Sequence, residues 1–271
     1  MEIKMGKDKT PWEGYITPSK IFGNLYFVGT VHASTHIIDT GDGLIMLDSG
    51  YQHSLYIVLH NMHVLGLDPR NLKYILHTHG HIDHMGATRA LVELFGCKTF
   101  IGAPDDKYVT GELDLTWAKE LDLDFIGAFT PDVILGDGDK VKLGNTEITA
   151  VHSPGHTPGA LSYFFDVTDG KKTYRAALHG GMGSNSMTKA FLESYGLDLS
   201  LRDQFIESQT RLAEIPVDIY LGNHVGQNDT VGKIERVLAG EKEAFVDPTE
   251  WRRHMLYTRD RFIKRIEAGE I

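Results

Sequence analysis

Four residues of types that bind metal ions crowd into one short run, "HTHGHIDHMG" (77–86): His79, His81, Asp83 and His84. His79 and His81 stand two apart. In an extended segment, side chains two apart project from the same side, so two neutral imidazoles at this spacing can clasp one ion. Asp83 and His84 follow where the chain turns into a helix and can face a second ion beside the first. A histidine-rich set with one carboxylate suits zinc, while iron, cobalt and manganese are chemically open. Two distant segments each add a histidine. "HSPGHTPG" (152–159) presents His156 on a loop stiffened by Gly155 and Pro158-Gly159, and "YLGNHVGQND" (220–229) places His224 directly after an apolar run. Three segments that each deliver a ligand at a strand end say more than the total of 14 histidines does.

The elements needed to hold such a site are readable around it. "IFGNLYFVGT" (21–30), "HASTHIID" (32–39) and "LIMLDSG" (44–50) read as strands, rich in β-branched and aromatic residues and broken by the Gly41-Asp42-Gly43 turn. Leu55, Val58, Leu59 and Met62 have helical spacing and predict a helix over 53–66, stopped by Asp68-Pro69. "LKYILHTH" (72–79) is a strand running into the histidines, 84–95 a helix closed by Gly96, and "KTFIGA" (98–103) the next strand. A mostly helical stretch is expected over 104–122, whereas 123–140 gives no clear pattern. "KVKLGNTEITAVHSPG" (140–155) reads as a hairpin leading into a loop, and "ALSYFFDV", "TYRAALHG" and "VDIYLGNH" as later strands. Helices are expected near 186–194, 199–213, 229–239 and 248–267. No repeat or linker interrupts this order, so a single layered α/β domain over 1–271 is expected, with two sheets facing each other and helices outside.

Composition narrows the partners. The chain has 271 residues, a formal net charge of -10 and 41% hydrophobic residues. An acidic surface repels phosphate backbones, which argues against nucleic acid. No run approaches the roughly 20 apolar residues of a membrane helix. Met1 to Lys20 carries Lys4, Lys7 and Lys9 with no apolar stretch after them, so no secretory signal is read there. With one cysteine, Cys97, no internal disulfide can form. A cytoplasmic protein acting on a small molecule is expected, with Cys97, His77 and His152 in structural roles. Trp117, Phe125 and Phe129 are read as either a lid or packing, and the charges of "RRHMLYTRDRFIKR" (252–265) as the solvated face of an amphipathic helix.

"THGHIDH" matches the His-x-His-x-Asp-His signature of the metallo-β-lactamase superfamily, "GHTPG" resembles the loop giving its third histidine, and "GNH" the last one. "LYFVGT" and "FVDPTEWRR" are similar to the third, cysteine-free subclass of metallo-β-lactamases. The resemblance implies an α/β fold, a four-layer αββα sandwich with metals between the sheet edges. It implies two Zn2+, one on His79, His81 and His156 and the other on Asp83, His84 and His224. It also implies a hydroxide bridging the two metals that attacks a carbonyl carbon, with Asp83 holding the hydroxide and passing a proton to the leaving group. Asp48, in "LDSG", is the residue expected to orient a ligand histidine through its other ring nitrogen.

Departures from the pattern bear on the substrate. Glyoxalases, lactonases and tRNA-processing nucleases of the superfamily supply a bridging aspartate after a late strand. Here that strand reads "AALHGGMGSN" (176–185), with Gly180 or Gly181 in the acid's place. Ser184, Asn185, Ser186 and His179 are the near candidates for substrate contact. The expectation is a hydrolase of a small carbonyl compound with weak, promiscuous β-lactam ring hydrolysis. The alternatives are an ester, lactone or thioester hydrolase without real β-lactamase activity, and a mononuclear iron oxidoreductase.

Overall fold

A computed structural model describes residues 11–271. Lys4, Lys7 and Lys9, in the stretch where no secretory signal is expected, lie outside the described residues. Strands β1 (Ser19–Phe22), β2 (Leu25–Phe27), β3 (His36–Asp39) and β4 (Leu44–Leu47) form an antiparallel meander. After helix α1 (Leu55–Val64), β5 (Leu72–Leu76) joins parallel to β4. Helices α2 (Ile82–Met85) and α3 (Thr88–Phe95) lead to β6 (Lys98–Gly102), then α4 (Asp106–Val109) and β7 (Val133–Leu135), both strands again parallel. The first sheet therefore runs β1 to β7 in chain order.

The second sheet starts with the hairpin of β8 (Lys140–Leu143) and β9 (Thr146–His152) and continues through β10 (Leu161–Thr168) and β11 (Thr173–Leu178). Helices α5 (Lys189–Ser194) and α6 (Leu201–Ala213) intervene before β12 (Ile219–Leu221), which pairs parallel with β11. Helices α7 (Thr230–Leu238) and α8 (Glu250–Glu267) finish the chain. The spatial order is β12-β11-β10-β9-β8.

The period of two along each strand assigns the layers. Leu25, Phe27, Ile38 and Leu76 from the first sheet meet Tyr163, Phe165, Leu178 and Leu221 from the second in one apolar core between the sheets. The alternate residues face outward: Ile37, Met46 and Ile75 pack under Val58 and Met62 of α1 and Leu91 of α3. On the other side Phe164, Ala177 and Tyr220 pack under Leu212 of α6 and Trp251 and Met255 of α8. Helix, sheet, sheet and helix follow one another, as the αββα sandwich requires. Trp251 is fully buried and its indole N–H donates to the Leu212 carbonyl at 2.7 Å, so the last helix is fixed to the sandwich by a satisfied polar contact as well as by area.

Three expectations need correction. Residues 104–122 hold only one helical turn, α4, followed by turns that include left-handed backbone at Gly111 (φ 78), Trp117 (φ 64) and Asp122 (φ 54). Residues of that kind cannot propagate a right-handed helix. The unpatterned 123–140 contains β7, the edge of the first sheet, too short to show alternation. The expected strand over 72–79 ends at Leu76; His77 N still donates to the Phe100 carbonyl at 2.9 Å, and from Thr78 the chain leaves the ladder for the site.

Candidate metal centre

The six residues singled out by type converge at the carboxyl ends of strands from both sheets. β5 runs out into His79, and the one-turn helix α2, preceded by His81, presents Asp83 and His84. The loop after β9 presents His156, and the chain leaving β12 presents His224. Ligand atoms of His79, His81 and His156 all lie within 4.8 Å of one another, and so do those of His79, Asp83 and His84. His224 joins the second group less tightly: its Nε2 is 3.5 Å from Asp83 Oδ2, and its ring centre 5.1 Å from that of His84.

Hydrogen bonds at the rear of four rings determine which nitrogen faces this space. Thr78 Oγ1 donates to Asp48 Oδ2 at 2.7 Å and so accepts from His79 Nδ1 at 2.9 Å. His84 Nδ1 donates to Asp48 Oδ2 at 2.9 Å, His156 Nδ1 to the Gly183 carbonyl at 2.8 Å, and His224 Nδ1 to the His32 carbonyl at 2.8 Å. Each ring is left with Nε2 toward the centre. His79 Nε2 is buried there with no hydrogen-bond partner, and His84 Nε2, buried beside it without a well-formed hydrogen bond, lies 3.1 Å from Asp83 Oδ2. An orphaned buried polar atom such as His79 Nε2 is costly, and a cation in the space the two rings share would satisfy it. The donor set, five imidazoles, four of them with the far nitrogen engaged, and a carboxylate, fits divalent zinc.

Electrostatics agree with that fit. Burial, and then the neighbouring imidazoles, hold His79 and His81 well below the usual histidine range, so both rings are neutral lone-pair donors. Burial likewise takes His156 down to about 4. Burial opposes charge on Asp83, yet His84 and His224 beside it keep its carboxyl far below the usual carboxylate range. His84 is the exception among the rings: against burial, the flanking Asp83 and Asp48 raise it to about 10. An ion at Nε2 would occupy the place of that extra proton.

Asp48 sits where the sequence placed it, and it does more than was expected of it. Fully buried and in left-handed backbone (φ 54), it accepts from Thr78 N at 2.7 Å as well as from Thr78 Oγ1 and His84, so one carboxylate orients two of the rings. Sequence reasoning missed Asp105. Wholly buried, it accepts from Gly80 N at 2.9 Å, between His79 and His81, and from Thr157 Oγ1 at 2.6 Å and Gly159 N at 2.7 Å, just beyond His156. It thereby ties together the two loops that present the first group.

The cleft in front of the site encloses about 570 Å³. Ser184 and Asn185 line it, and the Ser184 hydroxyl meets the Arg265 guanidinium. Ser186 and His179 are corrected. Ser186 turns inward and donates to the His156 carbonyl at 2.6 Å, which positions a candidate ligand. His179 is fully buried behind the floor: its Nδ1 accepts from Gly181 N at 2.8 Å, and its Nε2 faces the Gln209 amide at 2.9 Å. No acid stands at Gly180 or Gly181. Gly181, in backbone that favours glycine (φ 149), presses on the His156 ring, where a Cβ would lie 2.5 Å from its Cδ2. The aromatic trio divides. Trp117 lines the cleft, its ring 5.5 Å from that of His81, while Phe125 and Phe129 pack on Met85, Ile101 and Val109. His77 is structural, bonded to the Phe100 carbonyl and to Thr88 Oγ1, and Cys97 is a buried core residue. No helix among the described residues is long and apolar enough to cross a membrane.

Comparison with known proteins gives one consistent result. Residues 28–169 match the Metallo-beta-lactamase superfamily. Among curated proteins, hydroxyacylglutathione hydrolase GloC of Haemophilus influenzae is 30% identical over 167 residues, which are 61% of this chain and 74% of that protein. Among solved structures, BJP-1, a subclass B3 metallo-beta-lactamase of Bradyrhizobium japonicum, superposes with a TM-score of 0.86 at 25% identity, covering 97% of this chain and 98% of its own. FEZ-1 metallo-beta-lactamase from Legionella gormanii gives a TM-score of 0.86 at 27% identity over 94% of this chain and 97% of its own.

Proposed function

The chain belongs to the metallo-beta-lactamase superfamily and is a metallo-hydrolase, and from that premise we propose that it binds two zinc ions and hydrolyses a small carbonyl compound. His79, His81 and His156 would hold one ion, and Asp83, His84 and His224 the other. The observation that carries this reading is the buried, unpartnered Nε2 of His79, converging with Nε2 of His84 on a space shared with Asp83. Bound zinc supplies a water of lowered pKa and a Lewis acid for the carbonyl oxygen.

The protein's own groups do the rest. Among the described residues, Asp83 is the one carboxylate on the cleft wall. It is the catalytic residue of this reading, accepting a hydrogen bond from the attacking water at Oδ2 and relaying the proton to the leaving atom. Asp48 keeps the Nδ1 protons of His84 and, through Thr78, of His79 pointed away from the centre. Trp117, over His81 and against Phe191 at 4.9 Å, shields that side of the cleft from bulk water. The near-complete superposition on BJP-1 and FEZ-1, together with the absence of an acid at Gly180 and Gly181, supports β-lactam ring opening. A thioester, ester or lactone is the second reading, and the 30% identity to GloC favours it.

The test is hydrolysis of a chromogenic cephalosporin and of a hydroxyacylglutathione thioester by the zinc-loaded protein, with metal content measured alongside. His156→Ala is expected to lose one zinc and to fall at least about 100-fold in turnover, in line with loss of an essential metal ligand. A variant that kept two zincs and full turnover would overturn the ligand assignment, and turnover of neither substrate class by the two-zinc protein would overturn the substrate reading.

A further inference from the structure

The second sheet carries a buried histidine that the proposed hydrolysis does not use. His179 follows β11 directly and is fully buried. Burial holds its ring neutral, so one nitrogen carries a proton and the other accepts. Nδ1 accepts from the Gly181 amide at 2.8 Å, which leaves the proton on Nε2. The side-chain amide of Gln209, buried on α6, stands 2.9 Å from Nε2, and its oxygen, otherwise without a partner, is the group that can receive this proton. One nitrogen is thus engaged by a helix of the outer layer, and the other by a single backbone amide beside the metal centre.

That amide belongs to the segment against which His156 rests. Two successive amides are held from behind, Gly180 N by Ser162 Oγ at 3.0 Å and Gly181 N by His179. In front, Gly181 lies so close to the His156 ring that a Cβ would stand 2.5 Å from Cδ2. Two residues further on, the Gly183 carbonyl accepts from His156 Nδ1 at 2.8 Å. One edge of the ring and its rear nitrogen are therefore both set by residues 181–183. Groups packed this closely pass a displacement on, so the ring follows wherever Gly181 moves.

The geometry points to His179 as a positioning residue: by holding the Gly181 amide it seats the 181–183 segment against His156 and so aims His156 Nε2 at the first ion. It works through another residue's backbone, from behind the floor of the cleft. The inference rests on the two-ion reading for the identity of what His156 binds, whereas the aim of the ring is a property of the chain itself.

Three substitutions separate position from packing. His179→Asn keeps an acceptor where Nδ1 stands, His179→Gln reaches only the place of Nε2, and His179→Leu fills the space with neither. Zinc is titrated into the metal-free protein in competition with a fluorescent chelator. His179→Leu and His179→Gln should bind one of the two zincs about 10–100-fold more weakly, while His179→Asn should stay within about 3-fold of the native protein. If His179→Leu does not fold, the contrast between Asn and Gln decides alone. In a His156→Ala background, His179→Gln should change the affinity of the remaining zinc by less than about 2-fold, because the effect runs through His156. A readout that needs no metal is hydrogen exchange at His156 Nδ1, followed by imidazole NMR: His179→Gln should cut its protection at least about 10-fold and His179→Asn should keep it. Zinc affinity untouched by His179→Gln, an Asn variant no better than Gln, or a further loss in the His156→Ala background overturns the assignment. A native chain that binds fewer than two zincs would instead sink the two-ion reading, and the exchange contrast would still decide the role of His179.

Discussion

Thr157 donates its hydroxyl to Asp105 at 2.6 Å, a bond that spans 52 residues of chain and joins the His156 loop to the loop after β6. Burial raises the Asp105 carboxyl to about 6 against the three hydrogen bonds it accepts, so this contact costs desolvation and is retained for position. Asp105→Ala leaves the amides of Gly80 and Gly159 unpaired in the interior. Each such loss is worth about 1–3 kcal/mol, and a denaturant titration should show a destabilisation of at least about 2 kcal/mol with weakened zinc retention in a chelator competition.

Asp48→Asn tests the orienting carboxylate. Its size is kept, but one oxygen becomes an NH2 that cannot accept from both Thr78 and His84. Residues behind metal ligands typically contribute 10–100-fold in metal affinity or activity, and a loss in that range is expected for zinc affinity by competition with a fluorescent chelator. Unchanged affinity would mean that the ring orientations hold without it.

Gly181→Ala should damage the site by volume alone. The added methyl would meet the His156 ring at 2.5 Å and would sit on backbone at φ 149. Rotation of His156 away from Gly183 is the expected relief, read as loss of one zinc per chain and a fall of more than about 10-fold in turnover, the scale of losing an orienting contact behind a ligand.

The acid limb of stability should carry a signature of His36, which lies in β3 facing the inter-sheet core. Burial lowers it to about 4, opposed by Asp48. Its folded pKa is below its unfolded value, so the unfolded chain takes up a proton that the folded chain refuses. Its contribution is complete above about pH 6.5 and is lost as pH falls toward 4. Between pH 7 and 5 the native protein should lose up to about 2 kcal/mol more than His36→Phe, at about 1.4 kcal/mol per pH unit. Urea midpoints at the two pH values check this.

Chelation should lower thermal stability in a concentration-dependent way, because zinc would bind the folded chain and not the dispersed ligands of the unfolded one. Calorimetric scans with increasing chelator would show the midpoint falling and then levelling. A midpoint indifferent to chelator would count against a resident ion.

How much of this could be read from the chain depended on how local each signal was. His79, His81, Asp83 and His84 declare themselves within one run of six residues, His156 stands in a Gly- and Pro-bounded loop, and His224 follows a strand end at Gly222-Asn223. Asp48 was legible through the family pattern. Asp105 was not, because "GAPDDKY" is an ordinary polar turn until folding sets it against Thr157. The apolar, aromatic run in "ALSYFFDV" marks a strand, but β7 had three residues in which to show anything. The stripe from His254 to Arg265 has the same 3–4 spacing whether it faces solvent or a cavity, and only the packing of Trp251 and Met255 on the second sheet turns it toward the cleft.

The strand lengths have a consequence for life in a crowded solution. The four strands at the borders of the two sheets, β1, β7, β8 and β12, are three or four residues long, whereas β10 inside its sheet has eight. β8 also carries Lys140 and Lys142, both held by Glu147, and β7 follows directly on Pro131 and Asp132. A second copy meeting these borders finds too few free amides and carbonyls for a ladder, and charge where a ladder would have to grow. The sandwich can thus keep both sheets open at the edges without recruiting foreign strands into aggregates.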